Sequence, residues 1–197
     1  MSADPAATLG PEMQDIRTFH PRRGRMSAAQ LDALDRLLPL HGLPDGPLEV
    51  SALFGGRPVV LEIGFGLGHA TEEMAAADPG TGILAVDVHT PGVARLLLSV
   101  ERRGLDNVRV VNDDAVDLLR TRVASASLAA IRIFFPDPWP KARHHKRRIV
   151  RPDLVALMAD RLHPGGVLHC ATDWAEYAAS MLEVLTAEPL LRNEYDG

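Results

Sequence analysis

Apolar positions recur along the chain with two alternating periods. In MSAAQLDALDRLLPL (26–40), Leu31, Leu34, Leu37 and Leu38 share one helical face, and Ser27 with Gln30 has the spacing of a capping box. HGLPDGP (41–47) reads as a loop. Beyond it, short apolar runs alternate with stretches of helical period. PVVLEIGF (58–65), GILAVDV (82–88), NVRVVND (107–113), LAAIRIFFPDP (128–138) and VLHCATDW (167–174) read as strands. HATEEMAAA (69–77), TPGVARLLLSVERRG (90–104), AVDLLRTR (115–122), RPDLVALMADRLHPGG (151–166) and AEYAASMLEVLTA (175–187) read as helices. Thr90 as N-cap and Pro91 at the first helical position start the second of these, and a proline start and glycine stop bound the helix at 151–166. Five apolar strands alternating with helices predict a parallel sheet covered on both faces. Ligands of such sheets bind beyond the carboxyl ends of the strands, so the residues following each strand are the candidates for chemistry.

Composition adds bounds. The 197 residues suit one domain, 17–197, after a flexible tail at 1–16; 46% are hydrophobic and 24% charged, ordinary for a soluble globular protein. The single cysteine, Cys170, excludes an internal disulfide and suits a reducing, cytoplasmic setting. No apolar run approaches the roughly 20 residues of a membrane span, and the N-terminus has neither the basic start nor the apolar stretch of a signal peptide. The net charge of −5 argues against indiscriminate polyanion binding. The positive charge is concentrated, however. Arg17, Arg22, Arg23 and Arg25, with Lys141, Arg143, Lys146, Arg147, Arg148 and Arg151, make up ten of the 21 lysines and arginines. Such clusters point to a localised site for a negatively charged partner.

The strand ends carry the candidate residues. The first strand runs into Glu62-Ile-Gly-Phe-Gly-Leu-Gly68, where Gly64, Gly66 and Gly68 allow a tight turn and close approach to a ligand. A plain strand-to-helix turn is the bland alternative. Dinucleotide loops favour G-x-G-x-x-G/A, and here the third glycine falls one place earlier, although Ala70 blurs the test. Glu62 would repel a pyrophosphate but suits a ligand with an ammonium and a sulfonium, as in S-adenosylmethionine. Asp87, at the tip of the second strand, is placed to accept ribose hydroxyls; it reads equally as a loop or capping residue. Asp114, after the third, is placed for an adenine amino group or as an N-cap. After the fourth strand, Asp137 stands between Pro136 and Pro138, which restrict its backbone. Phe134 and Phe135 offer an apolar wall. Trp139 offers a flat face on which a nucleobase could stack, or else a core anchor. Asp173 and Trp174 follow the fifth strand. The basic run 141–148 directly follows this pocket, which favours phosphate contact over a merely solvated loop. His144 and His145 lack the partners a metal site needs, so no metal is expected.

Together these residues resemble the bacterial tRNA (guanine-N(7)-)-methyltransferase family. The match runs from IRTFHPRRGRMS through LEIGFGLG and VDVHTPGV to FFPDPWPKARHHKRRIVRPD and ATDWAEYAASMLEVL, and PDPWPKARHHKRR is its specific part. The resemblance implies an α/β, Rossmann-like class I methyltransferase sheet with S-adenosylmethionine as donor. It implies tRNA, not DNA or a membrane, as partner, and a guanine of the tRNA variable loop (position 46) as acceptor. Carried over by position, Glu62, Gly64, Gly66, Gly68, Asp87, Asp114 and Asp137 would hold the cofactor, with Asp137 also catalytic. Lys141 and Asp173 would bind substrate, and Arg143, His144, His145, Lys146, Arg147 and Arg148 would form the RNA-contacting loop. The family commonly has glutamate where Asp87 stands. It also continues past the last helix into two further strands with a Thr-x-Phe-Glu segment, so the sequence to Gly197 is expected to be either a fragment or a domain without part of that sheet and site. Two other readings compete with it: an NAD-dependent oxidoreductase on a similar sheet, and a non-catalytic or impaired tRNA-binding protein. Oligomeric state is not indicated.

Overall fold

The computed structural model describes residues 16–19, 24–46 and 48–194. Most of the expected tail, and Arg22 and Arg23, lie outside them. Five strands are built: β1 (Val59–Ile63), β2 (Gly82–Val86), β3 (Val108–Val111), β4 (Leu128–Phe134) and β5 (Leu162–Ala171). They form one sheet in the order β3-β2-β1-β4-β5, with every pairing parallel. The helices are α1 (Ala28–His41), α2 (Val50–Leu53), α3 (His69–Ala77), α4 (Thr90–Arg103), α5 (Ala115–Thr121), α6 (Pro152–Arg161) and α7 (Ala175–Ala187).

The alternation of side chains along each strand divides the core in two. Leu61, Ile63, Leu84, Val86, Ile131 and Ile133 face one way and pack with residues of α5, α6 and α7. Ile83, Ala85, Val108 and Val110 face the other and pack with α1 and α4. Every residue of β1 and β2 is buried, as strands covered on both faces must be. Full burial of each such aliphatic side chain contributes about 1.5–3 kcal/mol.

The strand order also places the site. The chain winds outward from β1 to β3, then returns through α5 to β4 on the far side of β1. The loops after β1 and β4 therefore leave toward opposite faces of the sheet. Between them lies the switch point at which ligands of open α/β sheets bind.

Local signals account for most element ends. Ser27 caps α1 as the sequence predicts: Gln30 N donates to Ser27 Oγ at 3.3 Å, and Ser27 N donates to Gln30 Oε1 at 2.9 Å. Helices α3 and α7 match their expected bounds. Three features differ. The N-cap of α4 is His89, not Thr90, because the helix begins one residue earlier in the loop. The short α2 was not foreseen. The helix expected at 151–166 ends at Arg161, and β5 begins at Leu162. Pro164 disfavours helical backbone at His163 and lacks a donor. The segment joins β4 with a register shift between Leu128 and Ala130.

Candidate active site

The loop after β1 turns on Gly64, Gly66 and Gly68, all at positive φ (77°, 61° and 71°). A Cβ built on Gly64 or Gly66 meets no atom within 4 Å, so the loop leaves open space above it. Gly64 N donates to Val86 O at 2.8 Å, tying the loop to the end of β2. Gly92, in the first turn of α4, supports the loop from beneath. A Cβ there would lie 1.9 Å from Gly66 O. Arg95, one turn on, donates to Leu67 O at 2.6 Å and pairs with Glu72 at 2.8 Å. Neither residue was picked out from sequence. The available signal was a glycine within a helix, which is unfavourable unless a close approach requires it.

The acids within β1 and after β2 and β3 are fixed in different ways. Asp87 Oδ2 accepts from Gly66 N at 2.7 Å, and Oδ1 accepts from His89 N at 2.8 Å. Asp87 thus clamps the loops after β1 and β2 together. Each of its oxygens keeps a second lone pair for a ligand hydroxyl. Asp114 Oδ1 accepts from Val116 N at 2.8 Å, so the capping reading of Asp114 holds. Burial pushes its carboxyl above the usual range. Glu62 is 3% exposed, with its Oε2 fully enclosed and the Thr71 hydroxyl beside it. Burial pushes Glu62 up as well; Thr71 and the positive charge of Arg132 oppose this, and Asp87 adds to it.

A cavity of about 380 Å³ opens where these loops meet, the size of a small-molecule site. Gly64, Gly66, Asp87, Asp114 and Asp137 line it, joined by Phe65, Asp113, His89, Phe135 and, from the N-terminal segment, Thr18 and Phe19. The predicted cofactor residues Glu62 and Gly68 stand behind the wall. The donor set in the wall fits S-adenosylmethionine: paired acceptors on Asp87, the Asp114 carboxyl and a glycine floor free of side chains. Among the described residues, no group of three or more His, Cys, Asp or Glu is placed to hold a metal ion.

The segment after β4 separates its aromatics. Trp139 is 3% exposed; its Nε1 donates to Thr18 O at 3.2 Å, and the Arg147 guanidinium lies 4.9 Å from its ring centre. His144 meets the same ring edge-on at 5.9 Å. Trp139 is therefore an anchor, and its face is not open to a base. Phe135 is 65% exposed and has a φ of 51°, a region rarely occupied outside glycine.

The basic run forms a 3₁₀ helix, Ala142–Arg147, with an exposed face and a structural underside. Lys141, Arg143 and Lys146 are exposed; His144, His145 and Arg147 are partly covered. The expectation that Arg148 contacts RNA needs correction. Arg148 is 3% exposed, donates through Nε to Pro138 O at 3.0 Å and through Nη2 to Glu176 Oε1 at 2.9 Å, and lies over the Tyr177 ring at 4.7 Å. Arg151 is buried too, bonded to Asp153 at 2.8 Å and to Lys146 O. These two arginines seat the loop. Asp173 is exposed after β5 and does not line the cavity; the cap position of α7 belongs to Trp174. Lys141 and residues 143–148 also lie outside the cavity wall.

Residues 56–196 match the family described as "Putative methyltransferase". The chain is 58% identical over 186 residues to a tRNA (guanine-N(7)-)-methyltransferase of Streptomyces coelicolor, covering 92% of this chain and 69% of that protein. It is 58% identical over 181 residues to the enzyme of the same name from Streptomyces avermitilis, covering 90% of this chain and 62% of that protein. An antibiotic-related methyltransferase of known structure superposes with a TM-score of 0.51 at 17% identity, over 73% of this chain and 78% of that one, which shows the shared fold. With this sheet, this glycine loop and relatives of such identity, the chain belongs to the tRNA (guanine-N(7)-)-methyltransferase family.

Proposed function

We propose that the protein transfers a methyl group from S-adenosylmethionine to N(7) of a guanine in the variable loop of tRNA. The observation that carries this reading is the placement of Asp137. It lines the same cavity as the glycine loop and Asp87, and the exposed basic face of residues 141–146 follows it directly in the chain. When bound, S-adenosylmethionine supplies a methyl group made electrophilic by its sulfonium. Guanine N(7) offers a lone pair and carries no proton. The residues therefore have no proton to remove, and their task is alignment and charge stabilisation.

In this reading Gly64 and Gly66 admit the donor closely, Asp87 holds its ribose and Asp114 its adenine. Glu62 attracts its ammonium group through the floor of the loop. Asp137 accepts hydrogen bonds from the donor edge of the guanine and stabilises the positive charge the base acquires. Asp173, exposed after β5, assists from the same sheet edge. Lys141, Arg143 and Lys146, with Arg17 and Arg25, hold backbone phosphates, so affinity falls steeply with salt. Such an enzyme acts in the cytoplasm; among the described residues no helix is long and apolar enough to cross a membrane.

The test is incubation with labelled S-adenosylmethionine and unmodified tRNA, followed by mapping of the methylated base. Label at guanine N(7) in the variable loop is the expected result. Binding of tRNA without transfer would favour a non-catalytic tRNA-binding protein. Calorimetric binding of NADH in place of S-adenosylmethionine would overturn the proposal.

A further inference from the structure

The segment FFPDPWP holds two non-glycine residues at positive φ, Phe135 at 51° and Trp139 at 46°. Each precedes a proline, which normally drives the preceding residue into extended backbone. Both conformations are therefore strained, and such strain persists only where the surroundings enforce it. For Trp139 the compensation is visible in its burial, its bond to Thr18 O and its contact with Arg147. Phe135 has no comparable packing. Its ring is 65% exposed, while its backbone is held by the bond from Phe135 N to Ala171 O at 2.8 Å. The fold thus holds the backbone of Phe135 in an unfavourable conformation and leaves the residue largely exposed in the wall of the cavity.

Exposure and position together separate Phe135 from the other aromatics; Phe19 lines the cavity but is only partly exposed and lies far from Asp137 in the chain. Phe65 lines the cavity but is 8% exposed. Phe134 lines it too, with its ring edge-on to His169 at 4.9 Å. Trp174 is 43% exposed but does not line the cavity. Among the described residues, Phe135 combines a strongly exposed ring, a place in the cavity wall and a position two residues from Asp137.

We infer that Phe135 is the platform on which the acceptor base stacks while Asp137 engages its edge. The inference rests on the proposed function and assigns to Phe135 the stacking role that the sequence suggested for Trp139. A base in single-stranded or extruded form presents a π-face that needs such a surface once it leaves its neighbours. Aromatic stacking of this kind contributes about 1–3 kcal/mol per base, a factor of about 5 to 150.

The experiment compares Phe135→Ala, Phe135→Leu, Phe135→Tyr and Phe135→Gly in the whole chain. It reads kcat/KM for unmodified tRNA, tRNA affinity by filter binding, S-adenosylmethionine affinity by calorimetry, and Tm. The alanine, leucine and glycine variants should lose between about 5- and 150-fold in kcat/KM or tRNA affinity. The tyrosine variant should stay within about threefold of the unsubstituted protein, a modest margin beside that loss. S-adenosylmethionine affinity should not change. The glycine variant, relieved of strain, should melt no lower than the unsubstituted protein while still losing activity. A leucine variant with full activity and affinity would overturn the inference, as would parallel loss of S-adenosylmethionine binding. If the unsubstituted protein binds tRNA in a Phe135-dependent way but transfers no methyl group, the proposed function fails and the stacking role stands.

Discussion

Replacing Gly92 by alanine separates the needs of α4 from those of the site. Within an isolated helix the change should stabilise by about 1 kcal/mol, because alanine is the better helix former. Here the new Cβ would lie 1.9 Å from Gly66 O, and ordinary contact begins near 3.4 Å, so helix and loop must separate by about 1.5 Å. The obstructing atom is backbone, not a side chain that can rotate away. Overpacking of this kind costs about 3 kcal/mol at the upper end of its usual range. The net effect is then about 2 kcal/mol of destabilisation, or a Tm lowered by about 4–8 °C for a chain of this size. The function should suffer more than the fold. Gly66 N is bonded to Asp87 at 2.7 Å, so displacement of the loop disturbs Asp87, the proposed ribose acceptor, as well as the floor of the cavity. A shift of this size in a positioning element costs about 10²-fold in rate. Thermal melting, calorimetric titration with S-adenosylmethionine and methyl-transfer kinetics provide the readouts. A Gly92→Ala protein that melts higher and binds S-adenosylmethionine normally would refute the reasoning.

Other expected outcomes follow from the same geometry. Arg148→Ala should cost about 1–3 kcal/mol in chemical denaturation, because it leaves Pro138 O without its donor. Arg143→Ala, on the exposed face, should change stability by less than about 0.5 kcal/mol and lower the slope of log affinity for tRNA against log salt by about 1. The buried Glu62 carboxyl is raised above 4.5, so in the folded state its ionised form is penalised. Its contribution to stability is therefore present below the unfolded pKa and lost as pH rises through the raised folded value. Glu62→Gln should accordingly melt higher than the unsubstituted protein at pH 7, show no such gain at pH 4, and bind S-adenosylmethionine more weakly. An equal difference in Tm at both pH values would exclude this account. Asp137→Ala should fold and bind S-adenosylmethionine, yet methylate tRNA at least about 10²-fold more slowly, as when a single charge-stabilising group is lost; normal transfer by that variant would remove Asp137 from the chemistry.

Apolar period made the sheet legible, because its strands are buried on both faces and its helices carry one apolar face each. It failed at the boundary between α6 and β5. There Leu162 continues the helical pattern, and the decisive facts are the missing donor of Pro164 and a register partner, Leu128, more than 30 residues away in sequence. Pairing between distant strands outweighed local pattern. The acids at the strand ends were legible for a related reason. Parallel topology brings the residues after β1, β2, β3 and β4 to one edge, so their order along the chain became their neighbourhood in space. What lay beneath them was less visible: Gly92 acts through the space it leaves, and nothing in its immediate sequence names Gly66 as the atom it accommodates.

The basic run shows why charge in a sequence does not by itself state a role. Residues 141–148 read as one uniform RNA-contacting patch. Their division into exposed and buried cations comes from the three-residue repeat of a 3₁₀ helix and from the aromatic rings that the fold places beneath it. An arginine under such a loop has lost much of its hydration, which makes a bond to Glu176 and the face of Tyr177 more favourable than at the surface. Lys141, Arg143 and Lys146 keep their hydration and are available to phosphates. The same division applies to the aromatics, where the ring that looked best for stacking, Trp139, is the one that holds Arg147 and Thr18 in place. A pocket that must receive a base rigidly needs both kinds of residue within a few positions of each other, since an exposed platform at Phe135 is only as well placed as the buried anchor that fixes its backbone.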